Sequence, residues 1–215
     1  MSRIAIKICG LSTPETLDAA IGAGADHVGF VHFAKSPRHV DADRMAQLAA
    51  RVPGHVRKVA VVVNPEEAVI DLLMRAVAPD AFQFHGNEAP ERLAAIRARY
   101  PRVHLWKAVP VKTRADIDAS NLHRGVADLL LFDAKTPDHA DLPGGMGLRF
   151  DWKLLDGHDQ RGAWGLSGGL DAANVADAIR ITRTPLVDVS SGVERAPGVK
   201  DVDKIAAFCQ AVRAF

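Results

Sequence analysis

The chain has 215 residues, of which 27 are Lys or Arg and 26 are Asp or Glu. This length suits one α/β barrel domain, and the balanced charge gives no general attraction to nucleic acid or to an anionic membrane. The two cysteines are too few for a disulfide framework, and the sequence contains neither a signal-peptide pattern nor an apolar run of about 18 residues. We therefore expect a cytoplasmic protein with one domain over residues 1–215 and without nucleic-acid or membrane partners.

Short apolar segments alternate with longer amphipathic segments along the whole chain. This alternation predicts parallel strands joined by helices, and the continuously apolar strands indicate burial on both faces. The predicted strands cover residues 4–9, 27–32, 58–63, 81–84, 104–108, 129–133, 163–166 and 186–189. Their regular spacing favours a closed (β/α)8 TIM barrel with outer helices over an open doubly wound sheet.

Capping residues, prolines and acidic residues mark where the predicted helices begin. Residues 12–15 (STPE) and 64–67 (NPEE) each place a capping residue before a Pro and an acid. Segments 171–181 and 201–212 carry apolar residues at three- and four-residue spacings behind an acidic start, which predicts outer helices. Residues 135–148 are polar and rich in Gly and Pro, so we predict a long active-site loop after the sixth strand.

Two strand ends carry groups that can move protons. The first strand ends in Cys9, and Lys7 points to the same side, where a cation would favour a reactive thiolate. The sixth strand ends in Asp133 after an apolar run, so this carboxyl can be desolvated and act as a proton donor. The alternatives are a buried cysteine that acts as a small hydrophobe and an ordinary loop cap. Together, an acid and a base on different sides of the barrel mouth suit sugar isomerisation.

Two glycine motifs, 167–171 (SGGLD) and 190–194 (SSGVE), follow the seventh and eighth strands, where barrels often bind phosphate. Backbone N–H groups approach an anion closely at glycine, and serine hydroxyls add donors. Either motif alone could be a tight turn, but two at adjacent strand ends predict a phosphate site. Its predicted residues are Gly168, Gly169, Ser190, Ser191 and Gly192.

Three further polar residues are predicted near the barrel mouth. Arg38 lies in a proline-containing loop after the second strand, and its planar guanidinium suits a carboxylate or a phosphate, although most arginines are simply solvated. Gln83 and His85 face the same side at the end of the fourth strand. Both are candidates to hydrogen-bond a substrate, and a purely structural role for His85 is equally consistent with the pattern.

Motifs from the first strand to the last helix resemble the phosphoribosylanthranilate isomerase family in their order and spacing. They are KICG at 7–10, GFVHFAKSPRHV at 29–40, QFHG at 83–86, LLFDAKTP at 130–137, PGGMG at 143–147, GLSGGL at 165–170 and DVSSGVERAPGVKD at 188–201. The resemblance implies an Amadori rearrangement of N-(5-phosphoribosyl)anthranilate in tryptophan biosynthesis. It implies a small phosphorylated substrate and neither a metal nor another cofactor.

The resemblance also implies roles for individual residues. Cys9 would be the general base and Asp133 the general acid, while Arg38 would hold the anthranilate carboxylate. The glycine motifs would hold the phosphate, and the remaining predicted substrate-binding residues are Lys7, Gln83 and His85. The chain departs from the family pattern in the loop after the sixth strand, where Met146 replaces a threonine and Leu148 replaces a basic or polar residue.

Two other functions remain open from the sequence. A metal-dependent pentose-phosphate epimerase would use His32, His85 and Asp133 as ligands, although these residues form no compact metal-binding motif. A barrel that only binds a phosphorylated ligand would need neither an acid nor a base. The oligomeric state is also open: monomer is the default expectation, and a dimer contact of ordinary size is compatible with the sequence.

Overall fold

The computed structural model describes residues 3–136, 144–156 and 162–215, so part of the predicted loop 135–148 lies outside the described residues. Eight parallel strands close into one barrel in sequence order, which confirms the predicted TIM barrel. The strands are β1 (Ala5–Cys9), β2 (His27–His32), β3 (Arg57–Val62), β4 (Ala81–Phe84), β5 (His104–Val111), β6 (Leu129–Ala134), β7 (Ala163–Leu166) and β8 (Leu186–Val189).

Helices surround the barrel in the described ranges. They are α1 (Pro14–Gly22), α2 (Ala42–Ala49), α3 (Glu67–Ala76), α4 (Pro90–Arg99), α5 (Arg114–Ala119), α6 (Val175–Thr182) and α7 (Val202–Arg213). Between β6 and β7 the described residues form a 3-10 helix, Trp152–Leu155, and a short hairpin of β9 (Glu194–Ala196) and β10 (Val199–Lys200) follows β8. Within these ranges, no helix is long and apolar enough to cross a bilayer.

The predicted helix starts are confirmed at α1 and α7 but not at α6, nor at α3, which follows Glu66 without a side-chain cap hydrogen bond. Thr13 caps α1 by accepting a hydrogen bond from the Thr16 N–H at 3.3 Å. Helix α6 begins at Val175 and not at the predicted position 171. The Asp171 carboxylate accepts hydrogen bonds from the N–H groups of residues 173 and 174, which forms a turn before the helix.

Strand β5 extends to Val111, past its predicted end at 108 and through Pro110. The prediction ended the strand at 108, before Pro110, which has no N–H to donate to a sheet. In the barrel, pairing of β5 with β4 stops at Lys107, whereas pairing with β6 continues to Val111. Pro110 therefore lies where β5 is bonded on one side only, which is where a strand tolerates proline.

Alternation along the strands separates two layers of core. Outward-facing residues such as Phe30, Phe82 and Phe132 are fully buried in the large cluster between strands and helices. Residues such as Trp106 and Leu131 belong to a smaller cluster that fills the barrel interior. Because the interior is packed, the cavity that the chain offers to a ligand lies above it, at the C-terminal ends of the strands.

Candidate active site

One cavity at the C-terminal ends of the strands collects most of the predicted site residues. Its volume is about 800 Å³, counting its open mouth. Among the residues that line it are Cys9, Arg38, Gln83, His85, Asp133, Gly168, Gly169, Ser190 and Ser191. The acid, the base and both glycine motifs therefore face the same space, and only Lys7 and Gly192 of the predicted residues do not line it.

The thiol of Cys9 lies next to a buried ion pair. Lys7 Nζ donates to Asp188 Oδ1 at 2.9 Å, and both side chains are buried. A Cβ built on Gly29 would lie 3.0 Å from Cys9 Sγ and 3.1 Å from Lys7 Nζ, so this glycine leaves room for the thiol and the ammonium. Burial raises the pKa of the Cys9 thiol above its ordinary value, and the Lys7 ammonium opposes part of that rise.

Lys7 itself is wholly buried beneath the cavity. Burial lowers the pKa of Lys7, but the Asp188 carboxylate and the Cys9 thiol outweigh this effect, so the pKa lies above its ordinary value. Lys7 is therefore the cation that a reactive thiol requires. Because Lys7 does not line the cavity, its position gives no support to the predicted contact with the substrate. Its position favours an effect on the ionisation of Cys9 instead.

The carboxyl of Asp133 is fixed by two contacts. Its Oδ1 accepts a hydrogen bond from the Ala134 N–H at 2.9 Å, and its Oδ2 lies 3.2 Å from His85 Nε2. A Cβ on Gly144 would lie 2.7 Å from His85 Cε1 and 2.9 Å from Asp133 Oδ2, so the loop after β6 packs directly on this pair. His85 is thus placed to orient the carboxyl while Asp133 faces the cavity.

Arg38 reaches the cavity from the loop after β2 and is almost fully buried. Its Nε and Nη2 donate to the two carboxylate oxygens of Glu194 at 2.7 and 2.8 Å. Its Nη2 also donates to the carbonyl oxygen of Gly145 at 3.0 Å. Burial raises the pKa of Glu194, but Arg38 and Lys200 outweigh this effect, so Glu194 titrates below its ordinary range.

The two glycine turns touch each other beside the cavity. A Cβ on Gly192 would lie 1.9 Å from the carbonyl oxygen of Leu170, so the two turns can pack this closely only with glycine at position 192. Gly168 and Gly169 have φ values of 91° and 61°, which favour glycine. The predicted helix start after the first motif is absent, because α6 begins only at Val175. At the first motif, turn N–H groups are therefore available to an anion, whereas the second motif begins a short 3-10 helix, Ser191–Val193.

Gln83 and the loop after β6 complete the cavity lining. Gln83 is buried, and its Oε1 has no hydrogen-bond partner within the described part of the chain. A buried acceptor without a partner is costly, which favours a ligand contact there. Met146 and Leu148 also line the cavity. The side chain of Arg149 runs beside Gly169, so a basic residue does reach the first glycine turn, one position later than in the family pattern.

The sequence analysis missed three charged residues that the structure places at the site. Asp188 carried a recognisable signal, because it is a carboxyl within an apolar strand, as Asp133 is. Glu194 and Lys200 lie in the motif at 188–201, from which the sequence predicted only the serines and the glycine as site residues. Arg38 lies 156 residues from Glu194, so no local spacing could have paired these two residues.

Comparison with known proteins identifies the family. The model of a family described as N-(5'phosphoribosyl)anthranilate (PRA) isomerase matches residues 6–211. The chain belongs to the phosphoribosylanthranilate isomerase family. The N-(5'-phosphoribosyl)anthranilate isomerase of Zymomonas mobilis subsp. pomaceae is 53% identical over 207 residues, which cover 96% of this chain and 97% of that protein.

Solved structures of phosphoribosylanthranilate isomerases have the same fold over nearly the whole chain. The Thermotoga maritima isomerase is 35% identical with a TM-score of 0.87, and the match covers 99% of this chain and 100% of that one. A phosphoribosyl anthranilate isomerase in complex with reduced 1-(o-carboxyphenylamino)-1-deoxyribulose 5-phosphate is 33% identical, with a TM-score of 0.85 and coverage of 99% and 100%. Membership of this family decides against the epimerase alternative.

Proposed function

We propose that this chain catalyses the Amadori rearrangement of N-(5-phosphoribosyl)anthranilate to 1-(2-carboxyphenylamino)-1-deoxyribulose 5-phosphate, a step of tryptophan biosynthesis. Membership of the isomerase family supports this activity. The observation that carries the residue roles is that Cys9 and Asp133 face one cavity together with both glycine turns. A barrel that only binds a phosphorylated ligand would not need this acid and base.

Asp133 is the proposed general acid. It donates its proton to the ribose ring oxygen as the bond between C1 and that oxygen breaks, and the nitrogen lone pair forms the protonated Schiff base. His85 Nε2, 3.2 Å from Asp133 Oδ2, holds the carboxyl in place for this transfer. Such positioning matters because general acid catalysis needs the donor within hydrogen-bond reach of the reacting atom.

Cys9 is the proposed general base. Its thiolate removes the proton from C2, and the electrons move to the Schiff base to give the enolamine, which tautomerises to the ketone. Burial raises the pKa of the thiol although Lys7 opposes the rise, so only a minor fraction is thiolate at neutral pH. We therefore expect the rate of Cys9 alkylation in the free enzyme to rise with pH above neutrality as Cys9 ionises.

The remaining residues hold the two ends of the substrate. Arg38 binds the anthranilate carboxylate, since it is the cavity-lining arginine after β2 and a guanidinium matches that group. The N–H groups of the two glycine turns, including that of Ser190, bind the phosphate together with the Ser191 hydroxyl. A monomer in the cytoplasm, formed of one catalytic domain over residues 1–215, remains our expectation.

The test is a fluorescence assay with enzymatically generated phosphoribosylanthranilate. Cys9→Ser and Asp133→Asn should each lower kcat by about 10²- to 10⁴-fold, the usual contribution of a general acid or base. Cys209→Ser is the matched control for the thiol, because Cys209 is buried in α7, away from the cavity. Asp177→Asn, in an exposed ion pair with Arg180, is the control for the carboxyl.

Both control variants should keep wild-type kcat. Turnover by Cys9→Ser or by Asp133→Asn at the wild-type rate would refute the role of that residue. Absence of turnover by folded wild-type protein would refute the proposed reaction.

A further inference from the structure

A chain of hydrogen-bonded polar groups contains two buried residues, Glu194 and Lys200, that the proposed mechanism does not use. Arg38 donates to both carboxylate oxygens of Glu194. Lys200 Nζ donates to Glu194 Oε1 at 2.7 Å and to the carbonyl and hydroxyl oxygens of Ser190 at 2.9 and 3.1 Å. Ser190 Oγ in turn donates to the carbonyl oxygen of Cys9 at 3.2 Å. The chain therefore links the loop after β2, the β9–β10 hairpin and the ends of β8 and β1.

Glu194 and Gly145 occupy Nε and Nη2 of the Arg38 guanidinium, so Nη1 is the nitrogen left for a ligand among the described residues. The occupied edge is the Nε–Nη2 edge, and Nη2 is also bonded to Gly145. Among the described residues, Nη1 has no hydrogen-bond acceptor, and it lies 2.5 Å from the position of a Cβ on Gly145, at the cavity wall. Because a guanidinium is planar, fixing the first edge also fixes the direction of both Nη1 N–H bonds.

Lys200 offsets the charge that Glu194 brings to this site. A carboxylate bonded to Arg38 repels an anionic ligand, but two cations against one carboxylate leave one net positive charge at the cavity wall. All three side chains are buried, so solvent screens these charges only weakly. The charged or titratable groups around Lys200 are Glu194, Arg38 and the Cys9 thiol, and Lys204 from α7 donates to the Glu194 carbonyl at 2.7 Å.

We propose that Glu194 and Lys200 are positioning residues for the aromatic carboxylate of the substrate. Glu194 aims Nη1 of Arg38 into the cavity, and Lys200 supplies the charge that lets Arg38 attract an anion despite its bond to Glu194. This inference rests on the proposed function, in which Arg38 binds that carboxylate. It assigns the β9–β10 hairpin to substrate selection as well as to the structure of the barrel rim.

The experiment compares two non-reactive ligands in equilibrium titrations. One is reduced 1-(o-carboxyphenylamino)-1-deoxyribulose 5-phosphate, and the other is the same molecule with a plain phenylamino group. Glu194→Gln should weaken binding of the first ligand by about tenfold or more, because the amide has one acceptor oxygen for the two Arg38 donors and Arg38 loses its fixed direction. This loss should exceed the gain from removing the repulsion between Glu194 and the ligand. Binding of the second ligand should stay within about twofold, since it presents no group to Arg38.

A second variant tests the charge of Lys200. Burial lowers the pKa of Lys200 to about 8, and Glu194 opposes that fall. The wild-type protein should therefore lose affinity for the carboxylated ligand as pH rises through about 8, where the ammonium loses its proton. Lys200→Met should bind this ligand weakly at pH 7 and lack that loss. Asp177→Asn, in an exposed ion pair on α6, should match the wild-type protein in every titration.

The outcomes separate this inference from the proposed function. Equal weakening of both ligands by Glu194→Gln, or wild-type affinity for both, would overturn the positioning role. If Glu194→Gln does not fold, the Lys200→Met titrations test the inference instead. A loss of affinity for the carboxylated ligand near pH 8 that persists in Lys200→Met would overturn it. Failure of wild-type protein to turn over phosphoribosylanthranilate would instead count against the proposed function.

Discussion

Replacement of Asp188 by Asn tests how a buried ion pair controls both stability and the catalytic thiol. Lys7 is fully buried, and Asp188 is its one hydrogen-bonded anion among the described residues. Breaking a buried ion pair by neutralising one partner costs about 3–5 kcal/mol, because the other charge is left without compensation. For a domain of this size, such a loss lowers Tm by about 6–20 °C.

The same substitution should change the ionisation of Cys9 in a defined direction. The Asp188 carboxylate raises the pKa of the thiol, whereas Lys7 lowers it. Removing the carboxylate leaves Cys9 as the nearest anion for the Lys7 ammonium, so the pKa of Cys9 should fall. The rise of the Cys9 alkylation rate with pH should then move to lower pH in Asp188→Asn.

Two measurements check these expectations directly. Thermal unfolding gives the change in Tm, and the rate of alkylation of Cys9 against pH gives its pKa in the free enzyme. Cys209 contributes little to the alkylation signal, because burial raises its pKa to about 11. Asp177→Asn, whose partner Arg180 is exposed, provides the matched control and should leave both quantities unchanged. An unchanged Tm together with an unchanged alkylation profile in Asp188→Asn would refute the coupling.

Two further substitutions test the packing around the site and in the core. Gly144→Ala should lower kcat by at least about tenfold with little change in Tm, because the new Cβ would lie 2.7 Å from His85 Cε1 and 2.9 Å from Asp133 Oδ2. The control is Gly22→Ala in α1, where a Cβ meets nothing within 4 Å. A wild-type kcat in Gly144→Ala would contradict this packing argument. Phe82→Ala should lower the free energy of unfolding by about 3–5 kcal/mol in denaturant titrations, because Phe82 is fully buried between barrel and helices, and a loss below about 1 kcal/mol would show that the core refills the cavity.

The sequence was sufficient for the barrel and for the two proton-transfer candidates. Strands buried on both faces are apolar throughout, so each of the eight could be located, and Cys9 and Asp133 stood out as polar groups at the ends of such strands. Strand ends were less certain. The end of β5 depended on whether a neighbouring strand bonds at Pro110, and the start of α6 depended on the Asp171 turn, neither of which follows from periodicity.

The sequence by itself determined the fold, the family and the residue types available for chemistry, because these follow from local patterns that the chain carries in order. Only the tertiary structure decided which charges meet. Lys7 lies 181 residues from Asp188, and Arg38 lies 156 residues from Glu194. Closure of the barrel brings β1 beside β8 and places the hairpin after β8 against the loop after β2, so pairing across the closure sets the ionisation of the thiol and the direction of the arginine.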